Sequence, residues 1–205
     1  MAQLLTIIGI TLNIAFGINL SKKNDRNFKI IKCKFNFYYF FKLYMNAEVQ
    51  YWINRLNLQP HPEGGYYVET YRAEGKIKEL DRHYSTGIYF LLLEDHFSAF
   101  HRIRFDEMWH FYAGSAIEVI VLKDNGELHF QKLGINPELG EKFQLVVPGG
   151  NWFASRMVDQ TSYGLVGCTV APGFDFKDFE MAKRNDLTSQ FPHHKKLIHT
   201  LTYPD

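Results

Sequence analysis

From Tyr66 to Val170 the chain is a succession of short runs rich in aromatic and β-branched residues, each closed by a turn signal. Tyr66 to Arg72, Ser85 to Leu93, Ser98 to Arg104, Met108 to Tyr112 and Ala116 to Lys123 read as strands. So do Leu128 to Leu133, Lys142 to Val147, Trp152 to Met157, Ser162 to Val170 and Phe174 to Glu180. Glu63-Gly64-Gly65 and Pro148-Gly149-Gly150 are turns, and Asp124-Asn125-Gly126 is a hairpin signal. Ala73 to His83 is polar and reads as a loop. Many short strands at this spacing indicate an all-β sandwich or barrel.

The ends differ from this middle. Val49, Trp52, Ile53 and Leu56 recur at helical spacing, with Asn46 as the expected cap and Pro60 and Pro62 as the stop. The tail from Asn185 to Leu201 can add a helix. Residues 1–44 contain no Pro, one acidic residue (Asp25), and much Ile, Phe, Asn and Lys. Three readings compete for them. They are upstream sequence before a start at Met45, or a signal peptide lacking the basic start, or an anchor too short for a full span. The expected division is therefore an extension over 1–44 and one domain over 45–205, cytoplasmic, or secreted or anchored if the extension is genuine.

Composition narrows the function classes. Lys and Arg number 23 against 22 Asp and Glu, a net charge of +1, which disfavours nucleic acid as a partner. The chain has 18 Phe, 12 Tyr and 3 Trp, suiting a β fold with an aromatic-lined pocket for a small-molecule ligand. Cys33 and Cys168 have no metal-finger spacing, and Cys168, in the apolar run Leu165 to Val170, reads as a core residue.

The run Phe100 to Gly114 holds His101, Glu107 six residues on and Gly114 seven beyond that. It resembles the first motif of the cupin superfamily, His-x-His-x(3-4)-Glu-x6-Gly, with Ile103 where the second His would stand. His61 to Tyr67, Ser85 to Leu92, Val147 to Phe153 and Val166 to Phe176 extend the likeness to the cupin subgroup catalogued as a domain of unknown function. The resemblance implies a single cupin double-stranded β-helix, a jelly-roll barrel similar in fold to dTDP-sugar epimerases and germins. It also implies pairing into a homodimer through sheet edges. In the second cupin motif Pro148-Gly149-Gly150 matches the turn, but Phe153 stands at the His position and Met157 at the Asn position.

Of the usual three His and one Glu, the motif positions retain His101 and Glu107. If a divalent metal is held, those two would ligate it, yet a catalytic site commonly needs three protein ligands. Ile103 and Phe153 also make the pocket drier, so no cofactor is expected. A dry imidazole–carboxylate pair suits proton chemistry of the isomerase or epimerase type on a sugar-like or oxo-substrate. His101 would be the base, with Glu107 and Tyr67 assisting and Tyr89 as a further acid. Glu63, Glu69, Tyr89, Trp109, Phe111, Trp152 and Phe153 are the expected substrate-binding residues. The rivals are a non-catalytic metabolite-binding cupin and a metal-dependent oxygenase with an incomplete ligand set.

Overall fold

The computed structural model describes residues 37–94, 96–159 and 162–205. Most of the expected extension, with the leader, anchor and start-site readings placed on it, lies outside the described residues.

Helix α1 (Phe37–Leu56) runs through Asn46, which was expected to cap it. No Gly or Pro interrupts those twenty residues, so nothing stops the helix until Asn57. Asn57 takes a left-handed φ of 54°, and the Leu58 N–H returns to the Ile53 carbonyl at 2.9 Å, closing the helix as a Schellman-type stop.

The chain then forms strands β1 (Gln59–Pro60), β2 (Tyr66–Arg72), β3 (Lys76–Ile77), β4 (Arg82–His83), β5 (Thr86–Leu93), β6 (Phe97–Arg102) and β7 (Glu107–Gly114). These are followed by β8 (Ile117–Leu122), β9 (Leu128–Leu133), β10 (Glu141–Lys142), β11 (Gln144–Val147), β12 (Trp152–Met157), β13 (Tyr163–Val170) and β14 (Glu180–Met181). Two six-stranded sheets result, ordered β1-β2-β5-β13-β7-β11 and β10-β9-β8-β12-β6-β14. Where a loop was expected over Ala73 to His83, β3 and β4 form a small hairpin. The expected strand over Phe174 to Glu180 is instead a 3-10 turn (Phe176–Asp178) ahead of the two-residue β14. Asp175 caps that turn by accepting the Lys177 N–H, a local bond that competes with a ladder. The tail carries two short helices, α2 (Arg184–Gln190) and α3 (Lys195–Thr200), rather than one. Phe191 and Pro192 separate them, and Pro192 lacks the N–H a continuous helix needs there.

Strand alternation sorts side chains into three apolar layers. Phe90 and Leu92 of β5, Trp109 of β7 and Val166 and Cys168 of β13 point between the sheets. They meet Val119 and Val121 of β8 and Phe153 and Met157 of β12 coming from the other side. The outer face of the first sheet packs Leu91 and Leu165 against Val49, Trp52, Ile53 and Leu56, the α1 stripe expected from spacing. The outer face of the second packs Phe100, Ile120 and Leu122 against Leu187 and Ile198 of α2 and α3. Both sheets thus have covered outer faces, and the space between their inner faces holds the site.

Candidate functional site

The site starts at the turn before β2. Gly64 and Gly65 have φ of 113° and 71°, a region that favours glycine, and a Cβ on Gly64 would strike the Phe97 carbonyl. The turn lies hard against β6: the Ala99 N–H donates to the Glu63 carbonyl at 2.8 Å. Glu63 is thereby held with its side chain inward and only 6 % exposed.

Glu63 meets two residues of β6 that simple alternation would separate. Ser98 Oγ donates to Glu63 Oε1 at 2.9 Å, and His101 Nε2 lies 3.0 Å from Glu63 Oε2. Ser98 and His101 are three apart, so in a regular strand they would face opposite ways. The pairing with β12 shifts register there: His101 opposes Phe153 while Ser98 opposes Ser155. This bulge inserts one residue into β6 and turns both side chains inward. The Ala99 carbonyl within the bulge faces His101 Nδ1 at 2.7 Å. A carbonyl only accepts, so Nδ1 carries the proton and Nε2 presents a lone pair in the neutral ring.

Burial fixes the charge states. His101 is pushed down to about 3 by desolvation, against a hydrogen bond to the Ala99 carbonyl that favours its charged form. Glu63 is pushed well above its ordinary range by burial and by the neighbouring Glu107, and Ser98 offsets part of this. Near neutral pH the pair is therefore a protonated carboxyl donating to a neutral imidazole, not an ion pair. His61 sits beside it, its Nδ1 3.4 Å from both the Glu63 N–H nitrogen and Glu63 Oε2. Desolvation lowers His61 to about 4, so it too is neutral.

Glu107, at the start of β7, is the second buried carboxyl. Desolvation raises it to about 7, while Trp109 and Cys168 partly favour its charged form. Cys168 is buried and its thiol is pushed well up, so it stays protonated and serves as a weak donor rather than a nucleophile. The Trp109 indole N–H is close enough to act on Glu107, yet it makes no hydrogen bond of ordinary geometry.

Glu63, Glu107 and Trp109 line one cavity of ≈ 380 Å³. Its remaining wall is largely aromatic and aliphatic, with Phe90 and Val170 from the strands and Ile103 just past the end of β6. Phe174, Phe176 and Phe179 cross it in the segment that proved not to be a strand. Phe176 stacks on His61 at 6.1 Å between ring centroids, and Phe179 lies 5.3 Å from His101. At the mouth, Arg72 is clamped by Glu69, with Nε and Nη2 2.9 and 2.6 Å from its two oxygens, and a third donor reaches the Phe174 carbonyl.

A family model described as "Cupin superfamily (DUF985)" matches residues 50–182, most of the chain and every residue of this cavity. This protein is a cupin. It is similar to the solved structure of protein SO0799 from Shewanella oneidensis, 39% identical, covering 75% of this chain and 96% of that one, with a TM-score of 0.72. A hypothetical protein from Leishmania major is 36% identical over 75% of this chain and 98% of its own, with a TM-score of 0.71. The uncharacterized protein YML079W of Saccharomyces cerevisiae is 30% identical over 157 residues, 68% of this chain and 78% of its own.

The cupin motif positions do not assemble a metal centre. Among the described residues no group of three or more His, Cys, Asp or Glu is placed to hold an ion. The donor set explains why. His101 Nε2, the lone pair a metal would use, is taken by the Glu63 carboxyl, and two of the usual ligand positions are Ile103 and Phe153. Phe153 packs on the His101 ring instead, with centroids 4.0 Å apart.

The other sequence candidates divide by strand face. Tyr67, Glu63, Glu69, Trp109 and Glu107 line the cavity. The expected His101–Glu107 couple does not form a pair: His101 pairs with Glu63 and stands behind it, outside the cavity lining. Tyr89 lies on the opposite face of β5 from Ile88 and Phe90, packed under α1 and edge-on to Tyr112. Trp152 belongs to the outer layer, with Arg102 over its ring at 4.5 Å. Phe111 packs on the inner core but does not reach the cavity. His61, Phe176, Phe179 and Cys168 are among the lining residues that sequence reasoning did not assign to the site. The signal for His61 was its place two residues before Glu63 in a glycine turn.

Proposed function

We propose that this cavity performs metal-independent proton transfer of the isomerase or epimerase type on a small oxo-compound. The roles differ from those expected. Glu107, with a pKa of about 7, is the general base that removes a proton from carbon next to a carbonyl. Glu63 is the acid: its proton rests toward His101 Nε2 and passes to the carbonyl oxygen when the bound substrate displaces that hydrogen bond. His101 is a positioning residue that holds Glu63 through Nε2, and Tyr67 borders the same space. The observation supporting this reading is that two buried carboxyls share one cavity with different neighbours, so that one keeps its proton while the other titrates near neutrality.

The test is deuterium wash-in from solvent into a panel of small cyclic and open-chain carbonyl compounds, followed by NMR. Exchange is expected to rise with pH through about 7 as Glu107 ionises. It should fall by about 10²-fold or more in Glu107→Gln and in Glu63→Gln. Binding without exchange, in any compound that occupies the cavity, would leave a non-catalytic metabolite-binding cupin.

A further inference from the structure

We infer that His61 is the donor by which this cavity recognises its ligand, its Nε2–H bonding the carbonyl oxygen of an uncharged oxo-compound. The inference rests on the substrate class of the proposed function, but not on proton transfer there.

The turn that delivers Glu63 also fixes His61. The His61 N–H donates to the Gly65 carbonyl at 3.1 Å, and the Gly64 N–H returns to the His61 carbonyl at 3.0 Å. The His61 side chain is 8 % exposed and lines the cavity. Its ring stacks on Phe176 and stands edge-on to Tyr67, Phe90 and Phe179, all four of them cavity-lining rings. The imidazole is therefore oriented before a ligand arrives.

The position of its proton follows from what Nδ1 meets. The Glu63 backbone N–H, with its nitrogen 3.4 Å away, can only donate, so Nδ1 presents a lone pair. Desolvation lowers His61 to about 4, so near neutral pH the ring carries one proton, and that proton is on Nε2. His101 is the opposite tautomer, with Nδ1–H on the Ala99 carbonyl and the Nε2 lone pair toward Glu63. No described residue hydrogen-bonds His61 Nε2, and unlike Trp109 Nε1 this nitrogen is not sealed off. The donor thus opens on the cavity that the ring lines.

A neutral N–H suits an uncharged oxygen. Arg72, the one cation among the described lining residues, is held bidentately by Glu69 and is not free to clamp an anion. His61 and Glu63 touch, so the oxygen that takes the Glu63 proton lies within reach of the second donor. The Nε2 proton stays on its ring and stabilises the charge that develops on that oxygen.

Long-range ¹H–¹⁵N NMR on protein labelled at histidine reads the tautomers at pH 7, with the His61 signals assigned by their loss in His61→Gln. The Nε2–H form is expected for His61, and a proton on its Nδ1 would overturn the inference. The protein would then be titrated with cyclohexanone, cyclopentanone and dihydroxyacetone, with benzoate as the anionic control. At least one ketone is expected to bind saturably and move the His61 Nε2–H downfield. Two variants separate recognition from a role in the turn. His61→Asn retains an acceptor near the place of Nδ1, so it should keep the urea midpoint and weaken ketone binding about tenfold. His61→Gln retains an N–H near the place of Nε2, so it should lower the midpoint and bind within about threefold of wild type. Equal or reversed ranking in binding would overturn the inference, and if neither variant folds the wild-type tautomer and shift decide. It is also overturned if no ketone binds, if ketones bind without moving the His61 signal, or if benzoate binds more tightly. Ketone binding with that shift but without deuterium exchange would remove the proton-transfer reading alone. Exchange without the shift would remove this inference alone.

Discussion

Around Glu63 and His101, desolvation outweighs attraction. A carboxyl and an imidazole 3.0 Å apart on a surface would form an ion pair, but here both are almost fully buried and the charged forms are disfavoured on both sides. This has a consequence for stability. Glu107 is raised from 4.5 to about 7 and Glu63 is raised well above 4.5, so folding favours their protonated forms and stability falls as pH rises beyond 4.5. His61 and His101 are lowered from 6.5 to about 4 and about 3, so folding favours their neutral forms and stability falls as pH drops below 6.5. Between 4.5 and 6.5 the unfolded chain holds two protons on the histidines and the folded chain holds two on the glutamates. The slopes cancel there. Melting temperature is expected to be flat across that window and to decline on both sides, with a slope of up to about 3 kcal/mol per pH unit where two protons are uncompensated. Scanning fluorimetry from pH 4 to 9 checks this, and Glu107→Gln should soften the alkaline decline. None of this was visible in residue types alone. The motif brought His101 and Glu107 forward, but which carboxyl touches the imidazole depends on side-chain direction, and the motif contains no information on the turn that delivers Glu63.

At the level of elements, two irregularities make the site: the glycine turn before β2 and the bulge in β6. The turn was legible, because Glu63-Gly64-Gly65 asks for positive φ. The bulge was not. One extra residue in a strand leaves no compositional mark, and alternation applied through it assigns Ser98 and His101 to different faces. The same rule worked where strands are regular: Glu107 and Trp109 share an inner face and Met108 faces out. It also separates Tyr89 from Phe90, and Trp152 from Phe153, once the inner face of each strand is known. The Phe174 to Phe179 crossing was misread as a strand because aromatic content signals β structure, whereas these rings cover a cavity rather than pack in a ladder. Gly64→Ala tests the turn. It puts a Cβ into the Phe97 carbonyl at a φ of 113°, so a loss of about 2–4 kcal/mol is expected by urea denaturation. Gly140→Ala, also at positive φ but with open space around its Cβ, should cost about 1 kcal/mol.

For the molecule as a whole, the cupin fold was readable because it is written redundantly, in many strand–turn pairs whose order survives single errors. Assembly was not. Among the described residues, a candidate surface for the homodimer expected from the family resemblance is the edge of the first sheet at β11. There Val146 pairs with Met108, and both are exposed, at 37 % and 39 %, with Phe143 exposed beside them. An open strand edge with exposed apolar side chains is suited to pairing with a second copy. Light scattering should give a dimer for the wild type and a monomer for the double substitution Met108→Lys, Val146→Lys, and a wild-type monomer would remove this expectation.

Burial keeps a proton on Glu63 against His101 and lets Glu107 titrate near neutrality. Infrared difference spectroscopy with ¹³C-labelled Glu carboxyls measures this directly. Two buried protonated carboxyl bands are predicted at pH 6, one lost with a midpoint of about 7 and absent in Glu107→Gln, the other persisting above it and absent in Glu63→Gln. Finding both carboxyls ionised at pH 6, with His101 carrying two ring protons, would contradict the account.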